Sequence, residues 1–439
     1  MRRDWHFSEV VAHCRVSGLS PSAVESAAAN LASGLLATYA RWPMLLCAMD
    51  EGASGPRLVY VPPTHEEARE RAQKAIEVAQ KADVPDLLKH VLETHDLRTP
   101  WGSVTVHFQH LGETELELIV VADHITVDGR FIMKLLGELV RAIETPPVTS
   151  DVDWTTLSDR LPVDAALSSG LRSAGKPMSE SCRVFLQQAE AEESVLKLKD
   201  IRLPTIRTSP TSRDTFYSIR TLDLAQSAAL SAACRRLGQS LTVLLNAIVA
   251  VAIAQTVERY GDGDFEGRTT VLVEPWDMRR WLSADDAERI TQSVIGRPTR
   301  LPESLALAAG AEFTAPAFAQ LCALSATNMR RVTDPRELEC DDERVAHGLG
   351  GNAHNAVCGH VFPSSLGVLD ARIGPLPNGV VVERPIILGV NLAPQVVLSS
   401  QTYAGKFTTV VISQRDCFAE GVLEMFAERV ESGLRRLIE

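Results

Sequence analysis

The stretch Val120-Val121-Ala122-Asp123-His124-Ile125-Thr126-Val127-Asp128-Gly129 decides how the rest of the chain is read. It sets His-x-x-x-Asp-Gly at the mouth of an apolar run, Leu116 to Ala122, whose nearly unbroken hydrophobicity reads as a strand central in its sheet. Beyond Gly129, the residues Phe131, Leu135, Leu136, Leu139, Val140 and Ile143 fall on one face of a helix that stops before Pro146-Pro147. None of the other ten histidines has an aspartate four positions on. A loop that leaves a buried strand and enters a helix is held by a rigid scaffold, which is where catalytic groups gather. Neutral imidazole there is a base that works near pH 7. On the motif alone, a strand-end histidine satisfied by its neighbours is an equal reading.

Working outward, Ser20-Pro21 opens a helix that runs to about Tyr39 and ends near Arg41-Trp42-Pro43. Met44 to Met49 reads as a strand, and Thr64 to Lys81 as a charged surface helix. Ser103 to Leu111 alternates Val104, Val106 and Phe108 with Thr105, His107 and Gln109, the period of a strand. From about 148 to 213 the periodicity fades, with one helix around Ser179 to Lys199. The second half then predicts a strand at Phe216 to Leu222 and a helix over Ala225 to Leu237 closed by Gly238. A buried helix over Leu241 to Val257 and a strand at Thr269 to Glu274 follow. Next come a Gly/His/Asn-rich loop at 345–362, strands at 380–388, 395–402 and 407–413, and an amphipathic helix at 419–437. The division expected is an N-terminal lobe, 1–165, a helical linker, 166–213, and a C-terminal lobe, 214–439.

Composition narrows the function. The 439 residues are 45% hydrophobic and 23% charged, ordinary for a packed globular chain. A net charge of −12 with 5% aromatics argues against nucleic acid, which calls for basic stripes and stacking rings. Leu241 to Val257 is short for a membrane span and carries Thr242, Asn246, Gln255 and Thr256, so no span is expected. The first residues lack the apolar core of a signal peptide. Eight scattered cysteines without Cys-x-x-Cys read as reduced thiols of a cytoplasmic protein. His347, His354, Cys358 and His360 lack metal-ligand spacing, so no metal is expected.

His124-x-x-x-Asp128-Gly129 resembles the active-site motif of the chloramphenicol acetyltransferase superfamily, which includes condensation domains of nonribosomal peptide synthetases and polyketide-associated acyltransferases. Other stretches agree in order: Ala40-Arg41-Trp42-Pro43, Leu97-Arg98-Thr99-Pro100-Trp101, Leu241 to Gln255, Val273-Glu274-Pro275-Trp276-Asp277-Met278-Arg279-Arg280 and Ser364-Ser365-Leu366-Gly367. Asp123 stands where condensation domains usually carry a first histidine, and Ser365 where asparagine is common. The resemblance implies an α/β fold of two such lobes, each a mixed sheet with flanking helices, around a central tunnel. It implies His124 as general base, with Asp128, Gly129 and Arg279 supporting the site and Arg280 as the competing partner of Asp128. Asp123 and Ser365 are candidate substrate-binding residues.

The implied reaction moves an acyl group from a phosphopantetheine thioester, on an acyl or peptidyl carrier protein or coenzyme A, to a hydroxyl or amine of a small-molecule acceptor. Polyketide or nonribosomal peptide biosynthesis is the expected setting, for a monomer with no bound cofactor. Arg235, Arg236, Arg330 and Arg331 are candidates for a cationic rim where the anionic donor enters. Two readings compete: a condensation-like enzyme repurposed for cyclisation, and a non-catalytic module that docks a carrier protein.

Overall fold

The computed structural model describes residues 8–52, 55–80, 84, 86–95, 104–124, 126–149, 152–161, 180, 199–261, 265, 268–277, 279, 282–291, 294–310, 313, 315–332, 359–391 and 394–439. The chain begins with β1 (Ser8–Ser17), α1 (Pro21–Glu25) and α2 (Ala27–Arg41), then the hairpin β2 (Ala48–Gly52) and β3 (Gly55–Val59). After α3 (His65–Lys74), β4 (Ile76–Ala79) and α4 (Leu87–Thr94) come β5 (Val104–Gly112), β6 (Glu115–Asp123) and α5 (Gly129–Glu144). The middle holds β7 (Lys199–Ile201), β8 (Thr215–Thr221), α6 (Leu224–Leu237), α7 (Leu241–Tyr260), β9 (Arg268–Asp277), α8 (Ala284–Arg289) and β10 (Val294–Pro302). The last part holds α9 (Glu303–Ala309), α10 (Pro316–Val332), β11 (Val361–Val368), α11 (Asp370–Ile373), β12 (Val381–Asn391), β13 (Val396–Tyr403), β14 (Lys406–Gln414) and α12 (Val422–Ile438).

These elements build two mixed sheets with flanking helices. The first has the order β12-β1-β6-β5-β4, and the second β10-β9-β11-β13-β14-β8, with β7 beside β9. The first sheet buries Val10, Ala12, Val106, Phe108, Leu118 and Val120 against α2 and α5, whose apolar faces supply Leu31, Leu35, Leu135 and Leu139. The second packs around α7, buried on nearly every side from Val243 to Val257. That helix is long and apolar enough to cross a membrane by composition, yet 78% of its apolar window lies inside the lobe. A third cluster joins the sheets: Val11, Ile119 and Val121 of the first meet Val397, Val410 and Ile412 of the second.

Several expectations give way to tertiary context. The sequence division at 166–213 does not separate the sheets. Val381–Asn391, far into the second half, pairs antiparallel with β1 and completes the first sheet. β7, inside the expected linker, pairs with β9. Met44 is not in a strand; Pro43, whose φ is preset, opens a 3-10 turn over Pro43–Leu46. The helix expected to Lys81 stops at Lys74, and Ile76–Ala79 becomes an edge strand parallel to β5. β5 is buried on both faces despite its alternation, because His95, Glu77 and the Val84 carbonyl cover and bond His107 and Gln109. The loop expected to 362 yields to β11 at Val361. Residues 181–198, 333–358, 96–103 and 280 lie outside the described residues, and with them most of the expected linker helix, His347, His354, Cys358, the Leu97–Trp101 stretch and Arg280.

Candidate active site

β6 is flanked by β1 and β5 and buried from Leu118 to Ala122, so its end is a fixed point. At that end the Asp123 carbonyl accepts from the backbone N–H groups of Thr126 and Val127, at 3.0 Å each, and from the Thr126 hydroxyl at 3.0 Å. This turn carries His124, which is half-buried.

Asp128 then does two things at once. As the N-cap of α5 it accepts from the N–H groups of Arg130 and Phe131, at 3.0 and 2.9 Å. Its other oxygen lies 2.8 Å from Nη1 of Arg279, and its side chain is fully buried. Arg279 is itself held: Nη1 also lies 3.2 Å from Asp277 Oδ1, and Nη2 donates to the Ile290 carbonyl at 3.1 Å. The next residue tightens the same seam. Thr291 Oγ1 donates to the Thr126 carbonyl at 2.5 Å, and Asp128 N–H donates to the Thr291 carbonyl at 3.0 Å. The histidine loop is therefore bound on both sides by second-lobe backbone and by a buried ion pair.

Two neighbours explain residue choices around the loop. A Cβ added at Gly129 would stand 2.9 Å from the Leu366 side chain, so glycine lets β11 approach the start of α5. Trp42, just after α2, is buried edge-on against Phe131 with centroids 5.1 Å apart, and its Nε1 donates to the Glu288 carbonyl at 3.0 Å. The Arg-Trp-Pro turn thus ties α8 to the helix that bears the motif.

His124 opens on a cavity of about 260 Å³. The first lobe contributes His124, Gly129 and Arg130, β9 contributes Pro275 and Asp277, and β11 contributes Phe362, Ser364, Ser365 and Leu366. Ile387 and Gly389 of β12 and Val397 and Ser399 of β13 complete much of the wall. Ser365 thus faces the same space as His124. Asp123 does not line it, consistent with strand-end neighbours turning to opposite faces. Arg130 and Asp277, which the sequence did not single out as site residues, form an ion pair in the wall. Asp277 was within view, two positions before Arg279, whereas nothing local marks Arg130.

Of the candidate rim arginines, Arg235, Arg236 and Arg330 do not line this cavity. Arg235 and Arg236 end α6, where Arg236 donates to the Leu437 carbonyl, and Arg330 bonds Thr327 on α10. A larger cavity, about 410 Å³, lies between α6 and the β13–β14 turn, with Cys234 as its one titratable lining residue. No group of His, Cys, Asp and Glu among the described residues is arranged to hold a metal.

No protein-family model matches the sequence, and no curated protein does. Solved structures do match. The trichothecene 15-O-acetyltransferase TRI3 of Fusarium sporotrichioides superposes with a TM-score of 0.73 at 14% identity, over 98% of this chain and 91% of that one. The first condensation domain of the calcium-dependent antibiotic synthetase gives 0.63 at 14%, over 98% and 91%. The X-domain from teicoplanin biosynthesis gives 0.57 at 16%, over 100% and 91%. With its two packed sheets and the helices that flank them, the chain has the condensation-domain fold of the chloramphenicol acetyltransferase-like proteins.

Proposed function

We propose that this protein is a condensation-like acyltransferase of natural-product biosynthesis, with His124 as its general base. The observation that carries the reading is the placement of His124: at the end of a buried strand, in a loop locked by Asp128 and Arg279, on a cavity walled by both lobes. Imidazole takes the proton of an acceptor hydroxyl or amine as that atom attacks the thioester carbonyl. The carbonyl carbon becomes tetrahedral, the C–S bond then breaks, and the departing thiolate takes up a proton. Ser364, Ser365 and Ser399 offer hydroxyl donors toward the developing oxyanion. Asp128 and Arg279 serve geometry, since each is spent on the other and on backbone groups. The donor is a phosphopantetheine thioester, delivered by a carrier protein or coenzyme A through one opening of a tunnel, with the acceptor entering by the other. The enzyme itself holds no cofactor.

The test is to incubate purified protein with acylated carrier or acyl-coenzyme A and a panel of alcohols and amines, and to read products by mass spectrometry. His124→Ala should slow turnover by about a hundred-fold or more with an unchanged melting temperature. Near-normal turnover in that variant would overturn the assignment. The X-domain likeness keeps a second reading in play, a docking module without chemistry. One of the X-domain structures is a complex with OxyB. That reading expects no product from any thioester and unaltered partner binding in His124→Ala.

A further inference from the structure

Resting on the acyl-transfer reading, the geometry points to an anionic group, carboxylate or phosphate, on the substrate that shares the cavity with His124, with Arg130 as its receptor. Arg130 lines that cavity beside the histidine, and with its side chain 37% exposed the ion pair to Asp277 leaves part of it accessible to a ligand. Its partner Asp277 is shared. One oxygen of Asp277 takes Arg130, while the other takes the backbone N–H and Nη1 of Arg279 at 3.1 and 3.2 Å. Asp128 is committed to Arg279 and to the α5 cap. These four side chains cancel, two carboxylates against two guanidiniums.

A fifth charge does not cancel. Arg372, on α11, makes no ion pair among the described residues, and its Nε is buried without a hydrogen-bond acceptor. Burial, followed by the positive charge of Arg130, pushes Arg372 down to about 10, and Asp277 and Asp128 only partly oppose this. Arg372 does not line the cavity, but it interacts with Arg130, Asp277, Arg279 and Asp128, and among the described residues these three arginines and two aspartates beside the cavity sum to one unit of positive charge. A partly buried guanidinium in that setting is suited to a planar, bidentate oxyanion. The phosphate of a pantetheine arm sits at the far end of the arm from its thioester, so an anion bound beside His124 belongs to the acyl group or to the acceptor.

The site is tested without requiring turnover. His124 in the intact protein is modified with diethyl pyrocarbonate, and its rate is read by peptide mass spectrometry with glutarate, with inorganic phosphate, or with sodium chloride at matched ionic strength. At about twice the dissociation constant, the preferred anion should slow modification of His124 about threefold in the wild type. The effect should disappear in Arg130→Gln, persist in part in Arg130→Lys, and weaken in Arg372→Gln. Protection by glutarate alone assigns a carboxylate, and by phosphate alone a phosphoryl group. Equal slowing by chloride, protection undiminished in Arg130→Gln, or no protection by either anion would overturn the inference. Because the readout is chemical access to His124, its failure leaves the acyl-transfer assay to stand or fall separately.

Discussion

Truncating Arg279 to alanine strands a fully buried carboxylate, whereas Asp128→Asn leaves a guanidinium, 16% exposed, that keeps Asp277 as a partner. The first should cost about 3–5 kcal/mol in urea denaturation, because the lost partner leaves an uncompensated charge rather than a missing contact, and the second should cost less. A loss below 1 kcal/mol in both would show the pair to be dispensable. Glu303 is a different buried carboxyl: burial pushes it up to about 7 from 4.5, against the opposing hydrogen bond from Thr270. A raised acid binds its proton more tightly folded than unfolded, so stability should fall as pH rises from about 4.5 to about 7, by up to about 3 kcal/mol. Glu303→Gln should remove that slope and be the more stable protein at pH 8; parallel pH profiles would refute it. At this level the sequence displayed His124, Asp128 and Arg279, because a motif and a strand ending carried them. It hid Arg130 and Thr291, whose roles arise only when residues some 150 positions apart are brought face to face.

α5 owes its seat to a missing side chain. A Cβ at Gly137 would meet the Ile373 carbonyl at 2.2 Å, so Gly137→Ala must push α11 off the helix. A cost of about 1–3 kcal/mol is expected, while Gly112→Ala, with nothing nearby, should stay within about 0.5 kcal/mol. Equal melting temperatures for the two variants would remove the packing argument. Local signals were readable where the physics is local. Ser20 accepts from Ala23 N–H as the cap of α1, and Gly238 closes α6 at φ 63°. β5 is the strand its alternation predicts, and it is nonetheless buried on both faces, since alternation reports side-chain polarity, not burial. His107 is buried all the same, with Glu77 and His95 bonding its two nitrogens at 3.1 Å each.

The two sheets share a chain that does not respect their boundary. Residues 1–165 expressed alone lack β12 and also lose Leu366, Leu369, Ile373 and Val382 from the first core. That fragment should show no cooperative thermal transition, and in the intact protein the amides of β1 and β12 should exchange together; a fragment that melts sharply would contradict this. Sequence could suggest two lobes, since helices and strands recur in each half, but a strand's partner across most of the chain leaves no local trace. The contact has a temporal side. Ser17 Oγ donates to Glu383 Oε1 at 2.9 Å across 366 residues. At about 5–20 residues per second, a ribosome needs roughly 20–70 s to traverse that interval. For that time β1 can pair with β6 while its other edge stays open, a templating surface for any extended segment that passes. The nascent chain therefore carries an unpaired strand edge until its own late segment arrives.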